Sequence, residues 1–421
     1  MLDYKEILTF LPEMKSGKEL VSAMAILPEY KDSVRNENQA VRLIALSDLY
    51  RVYIPSAMSM EIYSKLYLAL LRSLQKKGTK MAIKQQYENF RAIKKQEYSG
   101  IMGGSDSFTI IGTSGIGKSS AISRAISLIT ENRIIEIEKP YLKIVPCIIV
   151  QCPFDSSVKG MLLEILRKVD EELETKYYDN AIRARATTDM LIGVVSQVAL
   201  NHIGLLVVDE IQNVVNSKNG KSLIGSLTQL INNSGISIAF VGTPESTLFF
   251  ESAMQLARRS LGLNYGVMEY GAEFTGICKV LCSYQYVKQK AEITDAIIEW
   301  LYEHSAGVLS IVVSLIHDAQ EIAILSGKEI LNMETLNEAY QKRLSLLHDY
   351  IQPTIIHSQQ TTKSKPRRKK NPAANLIDKS DENLKLNIQK SLADLVSQAK
   401  AESLDIVSLV QEHFTVVEVA I

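Results

Sequence analysis

The chain has 421 residues, 46% hydrophobic and 22% charged, with a formal net charge of zero, the make-up of a globular protein of roughly two or three units with no overall field to draw in a polyanion. It has no uninterrupted apolar run of membrane-spanning length, and Met1-Leu2-Asp3-Tyr4 does not begin a charged-then-apolar leader; neither a membrane span nor a secretory signal is expected, and the cytoplasm is the default location. Four cysteines in so long a chain do not indicate a disulfide framework, and Cys147, Cys152, Cys278 and Cys282 are expected as buried reduced thiols.

Residues 1–102 read as a helical N-terminal region. Its clearest helix starts after Pro55 and Ser56 and carries Met60, Ile62, Tyr63, Leu66, Leu70, Leu71 and Leu74 at helical spacing, with Gly78 as its stop. A second helix over about 79–97 is rich in Lys and Gln and reads as a solvated connector. Over 103–285 the pattern changes. Apolar runs at 108–111, 144–150, 205–208 and 236–241 alternate with helical segments, which predicts an α/β domain with a parallel sheet covered on both faces. A small helical domain over 286–357 is marked by two stripes, Ile293, Ile297, Ile298, Leu301 and Tyr302, then Val308, Val312, Leu315 and Ile316. A flexible linker over 358–380 holds Lys363, Lys365, Arg367, Arg368, Lys369 and Lys370. The amphipathic segment 381–421, with Leu384, Ile388, Leu392 and Leu395, reads as a tethered partner-binding helix. Trp300 sits on an apolar stripe and is expected in the core, and no two of the six histidines stand at metal-ligand spacing.

The chemistry concentrates at three strand ends. Gly112-Thr113-Ser114-Gly115-Ile116-Gly117-Lys118-Ser119 fits the phosphate-binding loop G-x-x-x-x-G-K-[ST] at every fixed position, between a strand and a helix. The glycines let backbone N–H groups face phosphates, and the helix start, with Ser120 in its first turn, adds positive potential. Lys118 is placed for the β- and γ-phosphates of ATP and the Ser119 hydroxyl for Mg²⁺. The apolar run ending in Asp209-Glu210 supplies the second half: Asp209 to hold Mg²⁺ through water, Glu210 to polarise an attacking water. This pair favours hydrolysis over transfer to a substrate hydroxyl. Thr243, between Gly242 and Pro244, is the candidate to touch the γ-phosphate. Arg258 and Arg259 have two readings, as arginine fingers reaching a neighbour's γ-phosphate or as cations favourable at a helix C-terminus.

The order of these pieces resembles an AAA+ ATPase, and more narrowly the TnsC family of transposition regulators, related to TniB- and IstB-type ATPases. The likeness covers roughly 40–350. Besides the phosphate loop it rests on Gln151-Cys152-Pro153-Phe154-Asp155 with Lys159-Gly160, on Val207-Val208-Asp209-Glu210-Ile211-Gln212, on Val241-Gly242-Thr243-Pro244-Glu245, on Ala257-Arg258-Arg259 and on Ser305-Ala306-Gly307. Tyr53-Ile54-Pro55 is similar to the stretch that precedes the family's core. The resemblance implies a P-loop fold with a helical lid and ATP-driven assembly as a ring or helical filament on duplex DNA. It also implies a link between target-selector proteins and a transposase, with hydrolysis driving disassembly. Arg258 or Arg259 then becomes a finger acting in trans, and Lys159, Arg183, Arg185, Thr187 and Thr188 face DNA phosphates without reading sequence. The chain departs from the wider pattern in lacking an arginine after Gly307, and the Lys- and Gln-rich stretch before the core gives no base contacts. Two other classes share these features: a DNA-remodelling helicase loader or initiator, and a signalling ATPase switch that binds protein alone.

Overall fold

The computed structural model describes residues 9–343 except 78–79, 96–106, 132, 139–140, 216, 248–249 and 251–261. The chain divides into two units, Met1–Ile356 and His357–Ile421. The second, which carries the whole of the expected linker and the tail, lies outside the described residues, as do Arg258 and Arg259.

Among the described residues five α-helices lead in: α1 Gly17–Met24, α2 Gln39–Ala45, α3 Asp48–Arg51, α4 Ala57–Lys77 and α5 Lys80–Lys95. Strands and helices then alternate as β1 Phe108–Gly112, α6 Lys118–Thr130, β2 Ile135–Glu138, β3 Tyr141–Gln151, α7 Val158–Leu173, α8 Tyr177–Arg183, α9 Thr188–His202, β4 Ile203–Asp209, α10 Gly220–Ser234, β5 Ser237–Gly242 and β6 Leu263–Tyr265. Four helices close the described part: α11 Ala272–Ser283, α12 Asp295–Ser305, α13 Leu309–Ser326 and α14 Met333–Arg343. The sheet order is β2-β3-β4-β5-β1-β6, with β2 antiparallel to β3 and every other pairing parallel. This is the expected architecture: a mostly parallel sheet with flanking helices, a helical N-terminal region and a helical lid.

β1 and β5 are buried along their whole length and β4 up to Asp209, as continuous apolar strands must be when helices cover both faces. Ile110, Val207 and Ala239 point to one face, where Leu66 and Leu70 of α4 and Ala121 and Ile122 of α6 cover them. Ile148, Leu206 and Phe240 point to the other, beneath Ile165 of α7, Leu191 of α9 and Leu227 of α10. Each such large side chain contributes about 1.5–3 kcal/mol by leaving water.

The Lys- and Gln-rich helix is not a solvated connector. α5 turns its polar stripe inward: Gln85 and Asn89 are buried, the Gln85 amide donates to Asn89 Oδ1 (2.8 Å), and Asn89 Nδ2 donates to the Asn233 carbonyl (2.9 Å). That carbonyl lies in the last turn of α10, where no intrahelical donor remains, and the need of a buried acceptor outweighs the helix's composition. The apolar Ile83 and Tyr87 are left exposed.

The lid core begins upstream of residue 286. Phe274, Cys278 and Leu281 of α11 join Leu301, Val312 and Leu315, and Leu46 and Leu49 from the N-terminal region pack into the same cluster. Arg42 of α2 ties this region to the lid through a bidentate pair with Glu329, 2.5 and 2.7 Å. Among the described residues, α13 alone is long and apolar enough to cross a membrane, with a mean hydropathy of 1.4; its Val312, Leu315, Ile316, Ala319 and Ala323 are fully buried in the lid core. Trp300 is partly buried against that core and stacks on His304 at 3.9 Å.

Candidate active site

Strand register brings the chemistry-bearing residues into line. Gln151 pairs with Asp209, Val208 with Phe240, Ile111 with Gly242 and Gly112 with Tyr265. The parallel strands therefore end along one edge, the edge where open α/β sheets bind ligands. β5 lies between β1 and β4, so Thr243 emerges between the phosphate loop and the acidic pair.

The loop folds around its own lysine. Gly117, the N-cap of α6, has φ 98° and Gly115 has φ 81°, a left-handed region open to glycine without a steric penalty. A Cβ on Gly115 would also collide with Ser310 Oγ of the lid. Lys118 Nζ donates to the Gly112 carbonyl (2.6 Å) and the Thr113 carbonyl (2.9 Å). Burial pushes the ammonium below the usual lysine range, against the opposing pull of the Asp209, Glu210 and Glu245 carboxylates. Ser119 Oγ donates to Asp209 Oδ2 at 3.1 Å, and the Glu210 N–H donates to Asp209 Oδ1 at 2.8 Å.

Glu210 itself has φ 56°, a strained setting that costs a non-glycine residue about 1–3 kcal/mol and that clusters at functional sites. Its Oε2 accepts from Gln212 Nε2. The Thr243 side chain hydrogen-bonds the Glu245 carboxylate and holds it below the usual carboxylate range. Ser114, Gly115, Ser119, Ser120, Asp209 and Thr243 are among the groups around the resulting cavity of about 280 Å³.

Beside it opens a second cavity of about 290 Å³, lined by Ile116 and sharing Gly115, Gly117, Ser120 and Ser310 with the first. It is walled by Tyr53 ahead of the sheet and by Ile277, Leu281, Leu309 and Val313 of the lid. Sequence reasoning did not find these walls. They come from three distant stretches, and the one local signal was Tyr53-Ile54-Pro55, well upstream of the Lys- and Gln-rich helix. The lid position without an arginine is filled by the start of α13, where the Ser310 N–H donates to the Gly115 carbonyl at 3.1 Å.

The five residues read as facing DNA fall near two helix starts. Lys159 is exposed in the first turn of α7, whose N-cap Ser157 accepts from the Gly160 N–H at 3.1 Å. Thr187 is the N-cap of α9, and Thr188 is its first residue. Arg183 ends α8, and Arg185 follows with φ 49°; both are exposed. α7 sets out just after β3 ends. α9 finishes at His202, whose Nδ1 lies 2.8 Å from the Lys143 carbonyl near the start of β3, so its N-terminus, about 22 Å away, points back toward the ligand-binding edge. All four cysteines are free thiols whose ionisation burial opposes.

Residues 81–262 match the model of a family described as the bacterial TniB protein. Curated proteins give no match. Among solved structures the chain is similar to the Orc1 protein of Aeropyrum pernix, determined in complex with DNA, at 15% identity and a TM-score of 0.42, over 63% of this chain and 66% of that one. The resemblance to AAA+ ATPases related to TniB proteins is thus met by a family match across most of the sheet domain.

Proposed function

We propose that this chain is an ATP-hydrolysing regulator of transposition that oligomerises on duplex DNA and couples target-site selection to a transposase. The hydrogen bond between Ser119 and Asp209 carries the reading. It joins the phosphate loop to the acidic strand end, with Glu210 one residue beyond, as hydrolysis of a γ-phosphate requires. The TniB family match supports the transposition part.

Lys118 exchanges its two loop carbonyls for β- and γ-phosphate oxygens, and the backbone N–H groups of the glycine loop hold the rest of the triphosphate. Ser119 and Asp209 present hard oxygen donors side by side, a set that fits Mg²⁺; when bound, the ion neutralises charge on the β- and γ-phosphates. Glu210 takes the proton of the attacking water, and Thr243 contacts the γ-phosphate. The apolar second cavity takes the adenine ring. Lys118 is the one cation among the described residues lining the phosphate cavity, beside the Asp209 and Glu210 carboxylates. A further cation from a neighbouring copy, Arg258 or Arg259, completes the charge balance in a ring or filament. Lys159, Arg183, Arg185, Thr187 and Thr188 hold DNA phosphates at the α7 and α9 starts, which makes binding independent of sequence and sensitive to salt. Hydrolysis drives disassembly, and the segment 358–421 recruits the transposase or target selector.

Electron microscopy of the protein with duplex DNA, in ATP, in a non-hydrolysable analogue and without nucleotide, tests this. Rings or filaments should form on DNA only with nucleotide, and Lys159→Ala with Arg185→Ala should abolish them. DNA association absent in every nucleotide state would overturn the DNA-binding part.

A further inference from the structure

One side chain at the acidic strand end has no part in the mechanism above. Gln212 sits in a short 3-10 turn, Ile211–Val214, whose Ile211 and Val214 are buried. The turn is held further by Asn213 Nδ2, which donates to the Cys152 carbonyl at 2.9 Å, and by Ser156 Oγ, which donates to the Asn213 carbonyl at 3.2 Å. From this fixed base the Gln212 amide lies on the wall of the phosphate cavity. Its Nε2 donates to Glu210 Oε2. A carboxylate can only accept, so the amide must present its nitrogen there and its oxygen on the other side. That oxygen, Oε1, is buried with no protein donor. It lies 3.1 Å from where a Cβ would stand on Gly242, the last residue of β5, so the missing side chain at Gly242 leaves the amide its room.

Resting on the hydrolytic reading above, we propose that Gln212 is a positioning residue for the base: it fixes the Glu210 carboxylate through Nε2, so that the free oxygen of Glu210 faces the attacking water. A water donating one hydrogen to the free oxygen of Glu210 keeps a lone pair for the γ-phosphorus. As the new P–O bond forms, the bond from phosphorus to the bridging oxygen breaks and ADP leaves with its electron pair. The water's proton passes to Glu210, which returns it to solvent. Gln212 gains and loses nothing; it aligns the base.

Steady-state ATP turnover, nucleotide affinity and thermal midpoint are to be measured for the full chain and for Glu210→Gln, Gln212→Ala, Gln212→Glu and the double variant Glu210→Gln/Gln212→Ala. Gln212→Ala should lower kcat about 10- to 100-fold with ATP affinity and midpoint unchanged. The double variant should be no slower than Glu210→Gln alone, because the two act as one unit. Gln212→Glu keeps the length of the side chain but removes the donor to Glu210, and should lower kcat as Gln212→Ala does. If the alanine side chain unfolds the turn, Gln212→Met keeps the volume and should show the same kcat loss. An unchanged or raised kcat in Gln212→Ala, or a loss that adds fully to that of Glu210→Gln, would overturn the proposal. Undiminished turnover in Glu210→Gln would instead overturn the hydrolytic reading beneath it.

Discussion

The phosphate end of the candidate site draws its groups from the ends of β1, β4 and β5, whose relative positions are set by backbone pairing. The base end is gathered from Tyr53 ahead of the sheet, Ile116 in the loop, and Ile277, Leu309 and Val313 in the lid. One end is therefore held by the hydrogen-bond register of a buried sheet. The other depends on how the lid core, with Leu46 and Leu49 built into it, sits over the loop. Substitutions in the two places should fail differently: at Glu210 of the phosphate end by losing chemistry with binding retained, at the base end by losing affinity with chemistry retained.

The largest expected effect is on the frame of the base end. Arg42 and Glu329 have side chains only 3% and 14% exposed, and removing one partner leaves the other buried and uncompensated. Arg42→Ala should destabilise the protein by about 3–5 kcal/mol, read from denaturant unfolding. The hydrogen bond from Arg42 holds the Glu329 carboxyl below its usual range. A carboxyl whose folded pKa is depressed stabilises fully above its unfolded value, about 4.3, and that contribution drains away as pH falls through the folded value. Wild-type stability should therefore drop in that acid window, and Arg42→Ala should flatten the drop. A smaller effect is expected inside the cavity. Ile277→Ala should weaken ATP about 5- to 10-fold, the loss of about 1 kcal/mol of apolar contact, and leave inorganic tripolyphosphate affinity unchanged. Equal loss for both ligands would show that the two ends do not act separately.

The same contrast explains what could be read from the sequence. β1, β4 and β5 were legible because strands buried on both faces are continuous apolar runs, and the phosphate loop because its groups lie within eight consecutive residues. β6 was not, since Leu263-Asn264-Tyr265 is too short to carry a period, nor was β2, whose Ile135 and Ile137 alternate with Glu136 and Glu138 over four residues. The inward polar face of α5 was illegible because its acceptor, the Asn233 carbonyl, is 144 positions away. Gln212 stood in view in the Asp209-Glu210-Ile211-Gln212 run, but its task depends on Gly242, on another strand. The base-end walls could not be assembled from the sequence, because no local pattern ties Tyr53 to Ile277 or Val313.

The groups at the strand ends are proposed to hydrolyse ATP, with Glu210 activating the water. This is tested most directly by measuring ATP affinity and turnover together for the wild-type chain and Glu210→Gln in the presence of duplex DNA and Mg²⁺. In Glu210→Gln, ATP affinity should stay within about 2-fold of wild type and turnover should fall by about 10²- to 10⁴-fold. Equal turnover in the two proteins, or a wild-type chain that does not bind ATP, would contradict this reading.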